Sequence, residues 1–303
     1  MSVIPNWHFS MLNDNSRNEA FQRAIKGRVN PRHSVLDIGA GTGLLSIIAD
    51  DAGARTVDAF EAHPAMAQVA TQILDRHGSD SISLHKTHST NIQFRPGERK
   101  NFLVTETVDC ALIGEGLIPT LRHARRHLLT ESYDAVPVQA TLHGRLMSSP
   151  QVRSLNEASK AAGIDVSDIN ELQTQGHFPV RLDTWPHTFV SDEFGILTLS
   201  LLQDPPDEQT FTVHTTATHD AIVDGIVAWF DMDLGDGESI TTRPGASSTH
   251  WMQAYIPFSA PTEVHAGGGV NVNLRVVDDV SLVAESVVKT AGDAQRTALE
   301  QSI

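Results

Sequence analysis

The sequence predicts an α/β half built on a parallel sheet, followed by an antiparallel all-β half, and three observations carry that expectation. Up to about Asp134, apolar runs of strand length alternate with helix-length stretches; beyond it, short strand-like runs are separated by Pro, Gly and Asp-rich turns; and the first strand runs straight into the glycine-rich "GAGTG" (39–43). Strands separated by helices become parallel neighbours with helices on the sheet faces, whereas tight turns join antiparallel strands.

The elements follow in order. "SVLDIGA" (34–40) and "RTVDAFEA" (55–62) are apolar strands, each followed by a helical stretch, "GLLSIIADDAG" (43–53) and "PAMAQVATQILDRHG" (64–78), the second with Gly78 as its stop. "ISLHKTHS" and "NFLVTETVDCALIG" continue the strands, and "TLRHARRHLL" (120–129) reads as a helix. In the second half "VPVQATLHGRLM", "FGILTLSLL", "DGIVAWFDMDL", "WMQAYIPF", "VNVNLRVV" and "SLVAESVV" are strand-like, and Val270 to Val276 alternates apolar with polar, as a barrel or sandwich strand does. The polar segment 149–180 has little apolar periodicity; its pattern fits a loose linker slightly better than an arm that docks on another chain.

Composition bounds the function. The chain has 303 residues, 40% of them hydrophobic, enough for one large domain or two modest ones. A single cysteine, Cys110, rules out an internal disulfide framework and a cysteine-based zinc site and fits a reducing compartment. The start "MSVIPNWHFS" lacks the basic and apolar regions of a signal peptide, and no apolar run reaches bilayer-spanning length, so a cytoplasmic protein without membrane contact is expected. With 37 acids against 22 bases the net charge is −15, which repels phosphate backbones; nucleic acid is not the expected partner.

"VLDIGAGTGLLS" puts Gly39, Gly41 and Gly43 between a strand and a helix N-terminus, where a backbone without side chains can approach a ligand and free N–H groups can hold it. A dinucleotide fingerprint would want glycine where Leu44 stands, so the spacing argues against NAD. Glu61, ending the second strand, is placed to accept hydrogen bonds from ribose hydroxyls. Asp37 sits under the loop, to hold loop amides or to reach a ligand amino group through water. Strand, glycine turn and acid together imply S-adenosyl-L-methionine as cofactor.

Two acids nine residues apart, Glu106 and Glu115, flank the apolar Cys110, Ala111, Leu112 and Ile113, a neighbourhood in which unpaired charge is costly. "TETVDCALIGEG" resembles the double-glutamate loop of the protein arginine methyltransferases, "SSTHWMQ" (247–253) resembles that family's Thr-His-Trp loop, and "MLNDNSRN" (11–18) resembles its cofactor-covering helix. "VTETVDCALIGEGLIP" is closest to the monomethylating, type III members, and the resemblance runs from about Trp7 to the C-terminus. It implies a class I methyltransferase Rossmann-like domain (1–136) and an antiparallel β-barrel domain (137–303) whose segment 150–180 is a dimerisation arm docking on a second subunit, hence a homodimer.

The resemblance also implies roles. Glu106 and Glu115 would grip a substrate guanidinium, standing unpaired only without substrate and titrating as a unit through mutual repulsion. Arg17 would pair with the cofactor carboxylate, Met11 would pack on the adenine or sulfonium end, and His8 matches a position in the cofactor lid, which is expected to be short because the chain starts just before Trp7. Asp14 and His250 match a pair that carries away the released proton or holds the active loop, and Trp251 would wall the guanidinium. The compact chain looks like small bacterial relatives that make Nω-methyl-L-arginine from free L-arginine for nitrosourea natural products. Free L-arginine is therefore the expected acceptor, with protein arginine and a non-catalytic cofactor-binding module as alternatives. No resident metal is expected: His123 and His127 lie four apart, but Ala124 stands where a zinc protease carries its base, and both this pair and His85 with His88 read as solvated faces.

Overall fold

A computed structural model describes residues 4–205, 209–246 and 249–290. The first half is a five-stranded parallel sheet in the order β3-β2-β1-β4-β5. β1 (Ser34–Ile38) is central and wholly buried, because helices cover both of its faces; β2 is Thr56–Phe60, β3 Ile82–His85, β4 Lys100–Thr105 and β5 Leu129–Val136. Before the sheet come α1 (Trp7–Leu12) and α2 (Asn15–Arg28), and α3 (Leu44–Asp51), α4 (Pro64–His77) and α5 (Leu117–His127) join its strands. α4 ends where expected, with Gly78 in the left-handed conformation that lets its N–H cap Leu74 O.

Three local expectations are corrected. The strand read into "TETVDCALIG" stops at Thr105, and residues 106–116 form a loop in which Val108 and residues 110–113 are buried and Glu115 is exposed. An apolar run signals burial, not backbone conformation. The helix read over 120–129 starts earlier, at Leu117, and yields to β5, which the periodicity does not show. The strand Thr210–Thr216 was likewise not anticipated, since its burial alternates around a single fully buried residue, Val213.

The second half is antiparallel. Phe178–Val180, Gln253–Val264, Ala221–Gly235, Gln139–Ser148 and Thr188–Phe189 pair side by side, with Phe194–Ser200 also on Gln139–Ser148, and a second sheet holds Thr210–Thr216, Gly269–Val277 and Ser281–Thr290. The sheets meet at two edges, Phe194–Ser200 beside Thr210–Thr216 and Gln253–Val264 beside Ser281–Thr290, so they wrap one core as a barrel does. The strand Ala221–Gly235 is buried on both faces over residues 223–230: Ile226 and Ala228 face the main core, while Val227 packs with Met147, Val152, Leu182 and Tyr255 on the other side.

Segment 150–180 is a folded arm and not the loose linker its pattern favoured. It carries a helical turn (Pro150–Arg153), a two-stranded ribbon (Lys160–Ala161 with Ile164–Asp165) and a 3-10 turn (Ser167–Leu172), then returns to the sheet at Phe178–Val180. Its apolar Leu155, Ile164, Ile169 and Leu172 are exposed, which is why no buried periodicity showed. No helix among the described residues is long and apolar enough to cross a membrane.

Candidate active site

β1 and β4 are neighbours, yet the chain runs outward through β2 and β3 before returning to β4, so the loops that follow β1 and β4 diverge and leave a crevice at the sheet's carboxyl edge. A cavity of about 450 Å³ lies there, a size usual for small-molecule sites. Its walls come from four directions: the loops after β1 and β4, the ends of β2 and β3, the α1–α2 segment and the barrel residues His250 and Trp251.

The loop after β1 supplies Gly39, Ala40, Gly41 and Thr42. Gly39 has a φ of +75°, and a Cβ there would stand 2.3 Å from Thr107 Cγ2, so glycine lets the two loops touch across the crevice. Glu61 lies on the wall and ties this loop to the end of β2, accepting from Gly41 N at 2.9 Å and His63 N at 2.6 Å; a carboxylate still has lone pairs left for ligand hydroxyls. Two expected contacts are not on the wall. Gly43 caps α3 and packs toward Leu74, and Asp37, 1% exposed, accepts from Ser46 Oγ at 2.5 Å, holding helix α3 and not loop amides. Burial pushes the Asp37 carboxyl up to about 6.

α1 and α2 break at Asp14, whose side chain caps α2 through Arg17 N at 3.0 Å. His8 and Met11 of α1 line the cavity, with the His8 ring stacked on Trp7 and its pKa pushed down by burial. Arg17 is 3% exposed, and its Nη2 donates to Glu106 Oε2 at 2.5 Å. The expectation that both glutamates stand unpaired without substrate is therefore corrected for Glu106: a carboxylate 6% exposed cannot remain charged cheaply, and α2 delivers a cation beside it.

Glu115 lines the same cavity and, unlike Glu106, is exposed, so solvent at the cavity moderates its desolvation. Its pKa is pushed up to about 7, first by burial and then by the charges of Glu106, Asp109 and Glu61. Burial also raises Glu106, while Arg17 opposes the rise. Repulsion between the acids is real but second to desolvation, and proton uptake is expected to fall on Glu115.

The barrel completes the site. His250 donates its backbone N–H to Asp14 Oδ2 at 2.8 Å, and its Nδ1 lies 3.1 Å from the same oxygen. Burial lowers the His250 pKa; for Asp14 burial alone would raise it, but the hydrogen bonds from Arg17 and His250 outweigh that and hold it low. Trp251 is buried, donates Nε1–H to Val108 O at 3.1 Å and stands edge-on to Phe230, so its ring is fixed between the double-glutamate loop and the barrel core. Ser247 and Ser248 of the "SSTHWMQ" segment lie outside the described residues.

Sequence reasoning missed Thr87, His88 and Ser89, which line the cavity after β3. Topology was the available signal, since β3 ends on the same sheet edge as β1 and β2. His88 lies at the rim of the cavity and stays exposed, as expected, whereas His85 is half-buried, stacked on Phe60 and 2.7 Å from Asp58, and His123 is half-buried against Ile92 O. The corrections for His85 and His123 share a reason: each ring found a partner far away in sequence, while His88 bonds locally to Thr90. Asp109 and His177 were also missed; they lie 2.5 Å apart and, with Cys110, within metal-ligand reach, as do Asp50, Asp51 and His77.

Residues 138–284 match the family profile described as the arginine methyltransferase oligomerization subdomain. An arginine N(omega)-methyltransferase of Streptomyces achromogenes subsp. streptozoticus is 42% identical over 267 residues, covering 87% of this chain and 74% of that one. Protein arginine N-methyltransferase 9 of Xenopus laevis is 32% identical over 92% of this chain, which spans 38% of that longer protein. The fold is shared with the Trypanosoma brucei PRMT1 enzyme-prozyme heterotetrameric complex with AdoHcy, at a TM-score of 0.77 and 20% identity over 94% of this chain and 99% of that one. The glycine turn, the paired glutamates and a bacterial relative matched along most of both chains agree: this chain belongs to the protein arginine methyltransferase family.

Proposed function

We propose that the protein transfers one methyl group from S-adenosyl-L-methionine to a terminal guanidino nitrogen of free L-arginine, giving Nω-monomethyl-L-arginine. The observation that carries the reading is the facing of Glu106, Glu115 and Trp251 on one cavity whose other end is the glycine loop and Glu61. The crevice fits the cofactor: Gly39 and Gly41 let backbone approach, Glu61 meets hydroxyls, and Arg17 Nε and His8 Nδ1 are buried polar atoms without a partner among the described residues. When bound, the cofactor supplies an electrophilic methyl group on a sulfonium.

An arginine guanidinium stays protonated and its nitrogen lone pairs are delocalised, so unaided it is a poor nucleophile. Arg17 holds one oxygen of Glu106 and thereby fixes its plane, leaving the other for the substrate. Glu115 must be ionised to grip the second edge of the fork, and the incoming cation favours that state. Trp251 offers a flat wall on which the guanidinium stacks, and Glu115 is placed to take the proton that nitrogen loses as the new bond forms. Asp14 holds His250, and with it the Trp251 segment, against α2.

The raised pKa of Glu115 has consequences of opposite sign. Activity requires the carboxylate, so kcat/KM for arginine is expected to rise with pH through about 7. Stability runs the other way. The folded pKa lies above the ordinary value of 4.5, so the stabilising contribution is whole below 4.5 and is lost as pH rises through about 7. A pH–rate profile and ligand-free thermal melts in the same buffers, for wild type and Glu115→Gln, check both; a wild-type profile flat across neutrality would remove Glu115 from the role.

Free arginine against peptide arginine is decided by kcat/KM for L-arginine, for agmatine, which lacks the carboxylate, and for a capped arginine peptide. L-arginine is expected to win; the similarity to Xenopus laevis protein arginine N-methyltransferase 9 over 92% of the chain is what favours the second reading, a protein substrate. Only the monomethyl product is expected by mass spectrometry, because the added methyl removes a donor hydrogen and adds bulk; dimethylarginine after long incubation would overturn this. The exposed Leu155, Ile164, Ile169 and Leu172 of the arm, inside the matched oligomerization subdomain, support a symmetric homodimer. Light scattering is expected to give twice the chain mass, and a fully active monomer would refute it.

A further inference from the structure

The loop that presents Glu115 is shaped by one side chain. Asp109 Oδ1 accepts the backbone N–H groups of Ala111 at 3.0 Å and Gly114 at 2.9 Å, closing the turn between the two glutamates. A Cβ on residue 114 would fall 2.1 Å from Asp109 Oδ2, so glycine there makes room for the carboxylate. Within the turn Leu112 is held at a φ of +71°, a conformation that a branched side chain keeps only when its surroundings impose it.

The imposing contact comes from the other half of the molecule. Asp109 Oδ2 lies 2.5 Å from His177 Nε2, and the His177 side chain is 5% exposed. His177 is itself fixed on the last strand: its backbone N–H donates to Leu282 O at 2.9 Å, and Leu282 N donates to its Nδ1 at 3.0 Å. Nδ1 is thus an acceptor, which puts the ring hydrogen on Nε2, facing Asp109. Gly176 packs so tightly on Ser281 that a Cβ would meet its Oγ at 1.7 Å, leaving this stretch one seat on the barrel.

We propose that His177, at the end of the barrel's arm, is a positioning residue for the substrate grip: through Asp109 it sets the loop that aims Glu115 at the guanidinium. The inference rests on the reading of Glu106 and Glu115 as an arginine clamp. It assigns to the barrel a hold on the acidic side of the site, separate from His250 and Trp251. A hydrogen bond accounts for the contact without a metal, since Nε2 and Oδ2 satisfy each other.

Two substitutions at one position separate positioning from bulk structure. Glutamine can carry its amide nitrogen where Nε2 stands and keep the bond to Asp109; asparagine places its carbonyl near Nδ1, keeping the Leu282 anchor but losing the donor. His177→Asn is expected to lower kcat/KM for the arginine acceptor by about tenfold or more, chiefly through KM, with cofactor Kd within about twofold, whereas His177→Gln stays within about threefold of wild type. Asp109→Asn should match His177→Asn, and combining them should add nothing, because both remove the same bond. Hydrogen exchange of residues 109–116 supplies a readout independent of turnover: it should quicken in His177→Asn and not in His177→Gln. Equal behaviour of the Asn and Gln variants, additive losses, or losses that only follow a shared fall in Tm would overturn the proposal. A wild-type protein that methylates no arginine acceptor would instead overturn the functional reading, and the exchange comparison would still decide the loop contact.

Discussion

Glu115→Gln is expected to lower kcat for arginine methylation by two orders of magnitude or more while cofactor affinity stays within about twofold. The loss follows from a charge-assisted contact that strengthens as charge shifts in the transition state, worth about 3 kcal/mol or more. Glutamine keeps the volume and removes a carboxyl whose charged form is disfavoured at neutral pH by burial and three neighbouring acids. Thermal stability should therefore hold or rise, which separates lost chemistry from lost folding. Product formation by mass spectrometry, cofactor titration by calorimetry and a thermal melt make the test. A parallel loss of cofactor affinity would show that Glu115 serves the wrong ligand, and retained turnover would remove it from the grip.

Arg17→Ala is expected to weaken the cofactor first, by about tenfold or more, and to destabilise the fold. Arg17 and Glu106 are 3% and 6% exposed, so truncating the arginine leaves a buried carboxylate without its cation, at a cost of about 3–5 kcal/mol if it stays charged. Protonation offers an escape. Burial already raises the Glu106 pKa, and without Arg17 nothing on α2 opposes the rise. The destabilisation should therefore shrink in acid and grow toward alkaline pH. Urea denaturation of wild type and variant at about pH 5.5 and about pH 8 reads this sign directly. A pH-independent difference would mean that Glu106 carries no charge in the folded protein, and unchanged cofactor affinity would sink Arg17 as a cofactor ligand.

Much of the fold was legible because its signals are local. Strand and helix lengths in the first half follow from apolar runs cut by glycine, and the Gly78 stop needs only the left-handed cap it forms. The loop 106–116 was misread for the same reason in reverse: an apolar run reports burial, and here burial comes from packing against Trp251 and α5 instead of from a ladder of hydrogen bonds. The arm escaped because its apolar residues face outward and leave no inside-outside period to read.

The sequence by itself determined the fold class, the glycine turn and the nine-residue spacing of Glu106 and Glu115, since these depend on sterics and periodicity over a few neighbouring residues, while the expectation that both acids serve one site came from the resemblance of "TETVDCALIGEG" to the arginine methyltransferase loop. Only the tertiary structure decided which groups those residues meet. Arg17 reaches Glu106 across 89 positions, His177 reaches Asp109 across 68, and His250 reaches Asp14 across 236. Burial then separates the fates of two chemically identical acids: Glu106 is held by a cation, while Glu115 faces the cavity among like charges with its pKa near 7. Desolvation and Coulomb interactions depend on distances through space, which one chain's periodicity does not encode.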